Sequence, residues 1–126
     1  MSETTTWPDD FSTEEFAYLT TIGRSSGKPH RIQIWFAVDY GRVYLMSGGR
    51  DRSDWVKNLK ENPVITLEIG DEKRAGVATI LAENTASDAL ARELLAAKYG
   101  HDRDLSKWKV NSLPIVVMFG TSSAAS

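Results

Sequence analysis

The sequence predicts a mainly β fold with two helices, in which six short antiparallel strands curl into a small barrel. Apolar and polar residues alternate over short segments, as they do in strands with one buried face. Tight-turn combinations of Gly, Asp, Asn and Ser separate the segments and favour antiparallel neighbours. Helical spacing of apolar residues occurs only twice, so alternating βαβ winding does not fit. Short strands of this kind lose their exposed edges by closing on one another, and the helices then cover the ends or seams.

A first strand over residues 16–22 runs into Gly23-Arg24-Ser25-Ser26-Gly27, whose glycines and serines suit a turn with a residue at positive φ. The second strand, over 30–38, puts Ile32, Ile34, Phe36 and Val38 on a core face and Arg31, Gln33, Trp35 and Ala37 on the other. Asp39-Tyr40-Gly41 turns the chain into a third strand over 43–47, which ends at Gly48-Gly49. A short helix over 53–60 follows, with Ser53 as N-cap, Trp55 and Leu59 at i,i+4, and Asn62-Pro63 as its stop. Strands over 64–69 and 74–81 flank the hairpin signal Gly70-Asp71. The second helix opens on Thr85-x-x-Asp88, a capping-box pattern, carries Leu90, Leu94 and Ala97 on one face, and stops at Gly100. A last strand over 113–119 completes the set.

With 126 residues the chain, 1–126, has room for a single domain. Its 41% hydrophobic and 25% charged residues lie near globular averages, which excludes wholesale disorder. Residues 1–12 and 121–126 are too polar to offset their ordering entropy and are expected to fray. No apolar run is long enough for a membrane span, and the opening Met-Ser-Glu-Thr-Thr-Thr lacks signal-peptide blocks, so a cytoplasmic protein is expected. The absence of cysteine removes thiolate chemistry, and the two widely spaced histidines, His30 and His101, give no metal site. The net charge of −2 argues against a nucleic-acid partner. Residues 23–60, however, hold eight Lys/Arg against three Asp, a basic stretch on an acidic protein that fits a local anion site.

Three stretches are candidates for chemistry. Gly23 to Lys28 is rich in glycine but is followed by Pro29 and a strand, where a phosphate loop would open a helix, so an ordinary hairpin turn competes with an oxyanion cradle. Arg31, Gln33 and Trp35 offer a fork, an amide and a wide ring to a flat anionic ligand; packing of Trp35 on a helix or a second subunit is the alternative. Ser47-Gly48-Gly49-Arg50-Asp51-Arg52-Ser53-Asp54 joins a strand end, glycines and a helix start, which suits an anion. Asp51 and Asp54 can instead pair the arginines or cap the helix. Tyr99, Trp108 and Lys109 are candidates for covering a pocket, although core packing accounts for the two aromatics. No triad or carboxylate pair is readable from spacing, so no catalytic side chain is named.

Leu19-Thr20-Thr21-Ile22-Gly23-Arg24-Ser25-Ser26-Gly27-Lys28-Pro29-His30, then Trp35-Phe36, Gly41, Ser47-Gly48-Gly49 and Trp55-x-x-Asn58-Leu59-x-x-Asn62-Pro63 occur in one order and spacing. Together they resemble the deazaflavin-dependent nitroreductase and quinone reductase family, within the flavin-binding split barrels that include pyridoxamine phosphate oxidase. The resemblance implies a six-stranded antiparallel split β-barrel, pyridoxamine phosphate oxidase-like, that binds reduced coenzyme F-420. It implies that Arg24, His30, Arg31, Arg50 and Arg52 neutralise the cofactor's phosphate and glutamyl tail. Ser25 stands where the family has a lysine and Gln33 where it has a proline. Ile34 and Trp35 would line the ring, while Ser47, Gly48, Gly49, Trp55 and Asn58 shape the site.

The implied activity is hydride transfer from the reduced deazaflavin to a small conjugated, quinone or nitro-bearing acceptor. A hydride-carrying cofactor needs positioning more than a protein nucleophile, so the missing cysteine and triad do not count against an enzyme. Two alternatives stand beside it: an FMN-dependent oxidoreductase of the same barrel group, and a non-enzymatic barrel binding a flavin, haem or apolar ligand. The resemblance also implies a homodimer, for which Trp35 is the sequence's one candidate anchor.

Overall fold

The computed structural model describes residues 14–39, 41–100 and 104–119, so the expected fraying of residues 1–12 and 121–126 lies outside the described residues. Seven strands are present: β1 (Ala17–Ile22), β2 (Pro29–Ile34), β3 (Ala37–Asp39), β4 (Arg42–Ser47), β5 (Val64–Ile69), β6 (Glu72–Ile80) and β7 (Leu113–Met118). The helices are α1 (Asp54–Glu61), α2 (Ala86–Tyr99) and α3 (Ser106–Asn111), with a 3-10 turn, Arg50–Arg52, ahead of α1. The strands form one antiparallel sheet in the order β2-β1-β5-β6-β7-β4-β3. Among the described residues, no helix is long and apolar enough to cross a membrane.

The mainly β barrel agrees with expectation, with one strand and one helix more. The extra strand comes from residues 30–38, expected as one strand, which break at Trp35 and Phe36. β2 pairs with β1 and β3 pairs with β4, so strands consecutive in the chain stand at opposite ends of the sheet order. The sheet must therefore curl until its two ends meet at this link. At the break the Phe36 N–H donates to the Tyr99 hydroxyl at 3.1 Å, replacing a ladder bond with a side chain of α2. That hydroxyl lies 2.8 Å from the Glu15 carbonyl and 3.1 Å from the Phe36 carbonyl as acceptors.

Two cores explain why alternation alone could not assign the faces. Inside the curl, Leu19, Leu67, Ile69, Val43, Leu45 and Ile115 pack with Phe36 of the link and with Val56 and Leu59 of α1. Burying each such side chain contributes about 1.5–3 kcal/mol. Outside the curl, Ala37, Tyr44, Met46 and Val116 meet Ala91, Leu95 and Tyr99 of α2. Trp35 and Ala37, expected on a non-core side, belong to this second core: Ala37 is buried and Trp35 packs against the cluster. α2 is capped as expected, with Thr85 accepting from the Asp88 N–H at 3.2 Å. Its inner face is one position round from the expected one: Ala91, Leu95 and Tyr99 are buried, Leu90 and Leu94 are half-buried, and Ala97 is exposed.

Lys98 lies half-buried at the same link, donating to the Phe36 carbonyl at 3.0 Å with its ammonium 3.6 Å from the centre of the Phe36 ring. Burial lowers its pKa from 10.5 to about 8, and burial raises that of Tyr99 from 10.0 to about 12. Between pH 8 and 10.5 the unfolded chain holds the Lys98 proton more tightly than the folded one, so stability rises with pH. Between pH 10 and 12 the folded chain holds the Tyr99 proton more tightly, so stability falls. Urea midpoints are expected to climb from about pH 8, crest near pH 10 and then drop, with Lys98→Met removing the climb and Tyr99→Phe the drop.

Candidate functional site

The turn between β1 and β2 is closed by its own backbone. Gly23 N–H donates to Lys28 O at 2.8 Å, Gly27 N–H donates to Gly23 O at 2.9 Å, and Lys28 N–H donates to Ser26 Oγ at 3.1 Å. Gly27 has φ 70, which favours glycine. A Cβ on Gly23 would lie 2.6 Å from Ser26 Oγ and 2.7 Å from His30 Nε2, so a larger residue there would have to displace these side chains. With the Gly23, Gly27 and Lys28 N–H groups bonded within it, the stretch is a hairpin turn.

Asn58 fixes the turn to α1. Its buried Oδ1 accepts from the Arg24 N–H at 3.2 Å and from Arg24 Nη1 at 2.7 Å, while Nδ2 donates to Thr21 Oγ1 at 3.2 Å. Arg24 Nη2 also lies 3.3 Å from Asp54. Asn58 therefore builds the wall by holding Arg24. Around it opens a groove of about 470 Å³ that brings together Arg24, Ser25, His30, Arg31, Trp55 and Asn58. Arg31 forks onto Glu68 at 3.0 and 3.3 Å and covers the Tyr18 ring at 4.0 Å. The hydrogen bond between them raises the Arg31 pKa and lowers that of Glu68. Arg31 is exposed and Glu68 half-buried, so the pair is partly open to solvent and weak.

Gln33, Ile34 and Trp35 line a second cavity of about 310 Å³, completed by Phe16, Met46 and Trp108. Trp35 stacks on Tyr99 with centroids 4.3 Å apart and planes 5° apart, and Trp108 meets it edge-on at 5.4 Å and 76°. Both cavities take residues from β2: His30, Arg31 and Ile32 line the first and Gln33 and Ile34 the second.

The remaining expected residues stand elsewhere, at the end of β4. Buried Ser47 donates to Arg50 O at 3.0 Å and shares a 2.8 Å hydrogen bond with Ser53 Oγ, so Ser53 holds the turn instead of capping α1. A Cβ on Gly48 would lie 3.3 Å from Trp108 Nε1, and one on Gly49 2.6 Å from Ser53 Oγ. Arg50 points away from the first groove, to Asn111 O, Ser112 O and Glu83. Arg52 is exposed and lines neither cavity. Phe16 and Met46 carry no readable signal as site residues; Asp54, expected to pair Arg50 or Arg52 or to cap the helix, pairs with Arg24; Trp108 is the pocket-covering aromatic that the sequence offers among core candidates.

A family model for F420H(2)-dependent quinone reductases matches residues 2–119. The chain belongs to this family. Its cofactor is coenzyme F-420, so the FMN alternative gives way, and the protein is an oxidoreductase. The fold of this F420H(2)-dependent reductase is shared with solved structures. A conserved hypothetical protein, Rv2991 of Mycobacterium tuberculosis, is 19% identical with TM-score 0.71, over 94% of this chain and 85% of that one. An F420-H2-dependent reductase, FDR-A, is 20% identical with TM-score 0.67, over 82% and 94%. A protein described as a domain-swapped dimer is 19% identical with TM-score 0.69, over 82% and 80%.

Asn58→Ala removes the brace between β1, the turn and α1, leaving the Thr21 hydroxyl and the Arg24 N–H without this partner. The expected loss is about 1–3 kcal/mol of stability, read from urea denaturation.

Proposed function

We propose that this reductase passes a hydride to an uncharged planar quinone, with the cofactor's anionic tail along the first groove and the acceptor in the second cavity. The observation that carries this reading is the division of charge between two spaces that share β2. The first groove presents the guanidinium groups of Arg24 and Arg31, the His30 ring and the hydroxyls of Ser25 and Ser26. Its one carboxylate, Asp54, is already ion-paired with Arg24. This donor set fits an elongated phosphate and glutamyl tail. The second cavity is lined by aromatic and aliphatic side chains and one amide, with no charged group among them.

When bound, the reduced deazaflavin supplies the hydride. The chain's own part is placement. Trp35, held flat by Tyr99, gives a planar acceptor a wall to stack on, and Ile34 and Met46 keep water from its face. Gln33 supplies a side-chain hydrogen-bond donor for a quinone oxygen. The quinone gains the hydride and one proton from solvent and leaves as the hydroquinone.

Purified protein given reduced F-420 is expected to oxidise it faster with menadione than with a nitroimidazole. Arg31→Gln, which leaves the fold intact, is expected to weaken F-420 binding by about tenfold, since hydrogen bonds to charged groups contribute ~1.5–3 kcal/mol. Unchanged affinity would remove the tail from this groove.

A homodimer, the remaining expectation, finds no anchor in Trp35, which stacks within its own chain. The exposed apolar surface that a second copy would cover is Val64, Val77 and Met118, paired in register on β5, β6 and β7. Val77→Lys is expected to convert a dimer to monomer in sedimentation velocity, with the circular dichroism unchanged.

A further inference from the structure

Helix α3 carries the wall of the second cavity opposite Trp35, yet it has little of its own to hold it. It is six residues long and buries none of them, and at its N-terminus the Asp104 carboxylate accepts from the Ser106 N–H at 3.0 Å. A helix this short is unstable alone, so its position depends on what its ends meet. Its four terminal carbonyls would be left without partners inside the helix.

Each of those carbonyls has a donor. The Ser112 N–H donates to Trp108 O at 3.0 Å. Arg92, from α2, donates to Lys109 O and, at 3.1 Å, to Val110 O. Arg50, from the turn after β4, donates to Asn111 O at 2.8 Å and to Ser112 O at 3.3 Å. Two guanidinium groups from two different elements thus cap one helix end, where the helix dipole favours positive charge. Both arginines are themselves oriented, Arg92 by Asp88 at 2.8 Å and Arg50 by Glu83 at 3.1 Å.

Arg50 takes part with a strained backbone. Its φ of 54 lies in the left-handed region, which a non-glycine residue keeps only when its surroundings fix it. The Ser47 hydroxyl on the Arg50 carbonyl is such a fixture, and Gly48 of the same turn sits against the Trp108 indole nitrogen. One turn therefore grips both the end of α3 and its tryptophan.

We propose that Arg50 and Arg92 are positioning residues that set acceptor selectivity by clamping α3, and so hold Trp108 at the edge of Trp35. This inference rests on the reading of the second cavity as the acceptor site. It gives Arg50 a role at the acceptor, in place of the tail contact implied by the family resemblance.

Arg50→Gln and Arg92→Gln are compared with the parent protein by two measurements. In ¹⁵N-indole spectra of the cofactor-free protein, the Trp108 Nε1–H resonance is expected to shift in both variants while that of Trp55, in the first groove, stays. Menadione affinity is expected to fall about three- to tenfold with F-420 affinity unchanged, the size of a lost aromatic edge contact. An unmoved Trp108 resonance overturns the clamp, as does a loss confined to F-420 affinity, which would return Arg50 to the tail. If the parent protein binds no menadione, the acceptor reading fails, and the indole spectra decide the clamp by themselves. Melting curves identify a variant that is merely unfolded, for which Trp108→Leu tests the same cavity wall.

Discussion

The link at Trp35 and Phe36 joins strands at opposite ends of the sheet, and its backbone polar groups have to be satisfied where no ladder partner exists. Tyr99 meets that demand from outside the curl. Its hydroxyl serves the Phe36 N–H, and its ring lies flat on Trp35. A single side chain of α2 thus closes the seam and sets the plane of the aromatic wall in the second cavity. The second cavity is in this sense a by-product of barrel closure, because the same contact that satisfies the backbone also fixes the indole.

The parts of the fold legible in the sequence are those governed by local rules. Turns at Gly23–Gly27 and Gly70, the capped start of α2 and the stop at Asn62-Pro63 follow from backbone preference and side-chain capping, and they appear where expected. Residues 30–38 alternate without interruption, yet the chain there leaves one edge of the sheet and joins the other. Alternation reports that a residue has a buried side; it cannot report which core the side belongs to, and this protein has one on each face of β4. Helix α3 was illegible for a related reason. Its carbonyls are capped by Arg50 and Arg92, sixty-one and seventeen residues away from the groups they meet, and no local pattern records such a bond.

Charge gave a similar mixture. The basic stretch between residues 23 and 60 does contain the groove arginines, but its excess charge is largely spent inside the molecule. Arg24 is held by Asn58 and Asp54, Arg31 by Glu68, and Arg50 by α3 and Glu83. A count of cations along a chain measures supply, and only the three-dimensional pairing shows how much remains for a ligand. Asp54 illustrates the point: as a carboxylate beside an anion site it looks unfavourable, but its ion pair orients the arginine that lines the groove.

On the proposed reading, the separation of charged groove from uncharged cavity suits a hydride transfer that needs no protein nucleophile. A hydride needs a donor and an acceptor face to face in a place that water does not fill, and a charge beside the acceptor would bring water with it. On the proposed reading, the cations lining the first groove hold the tail apart from the uncharged second cavity. The chemistry then depends on planes and edges: Trp35 fixed by Tyr99 from one side, and Trp108 fixed from the other by a helix whose open end is closed with arginine. On that reading Arg50 and Arg92 shape the acceptor's space by holding the end of the helix that carries Trp108.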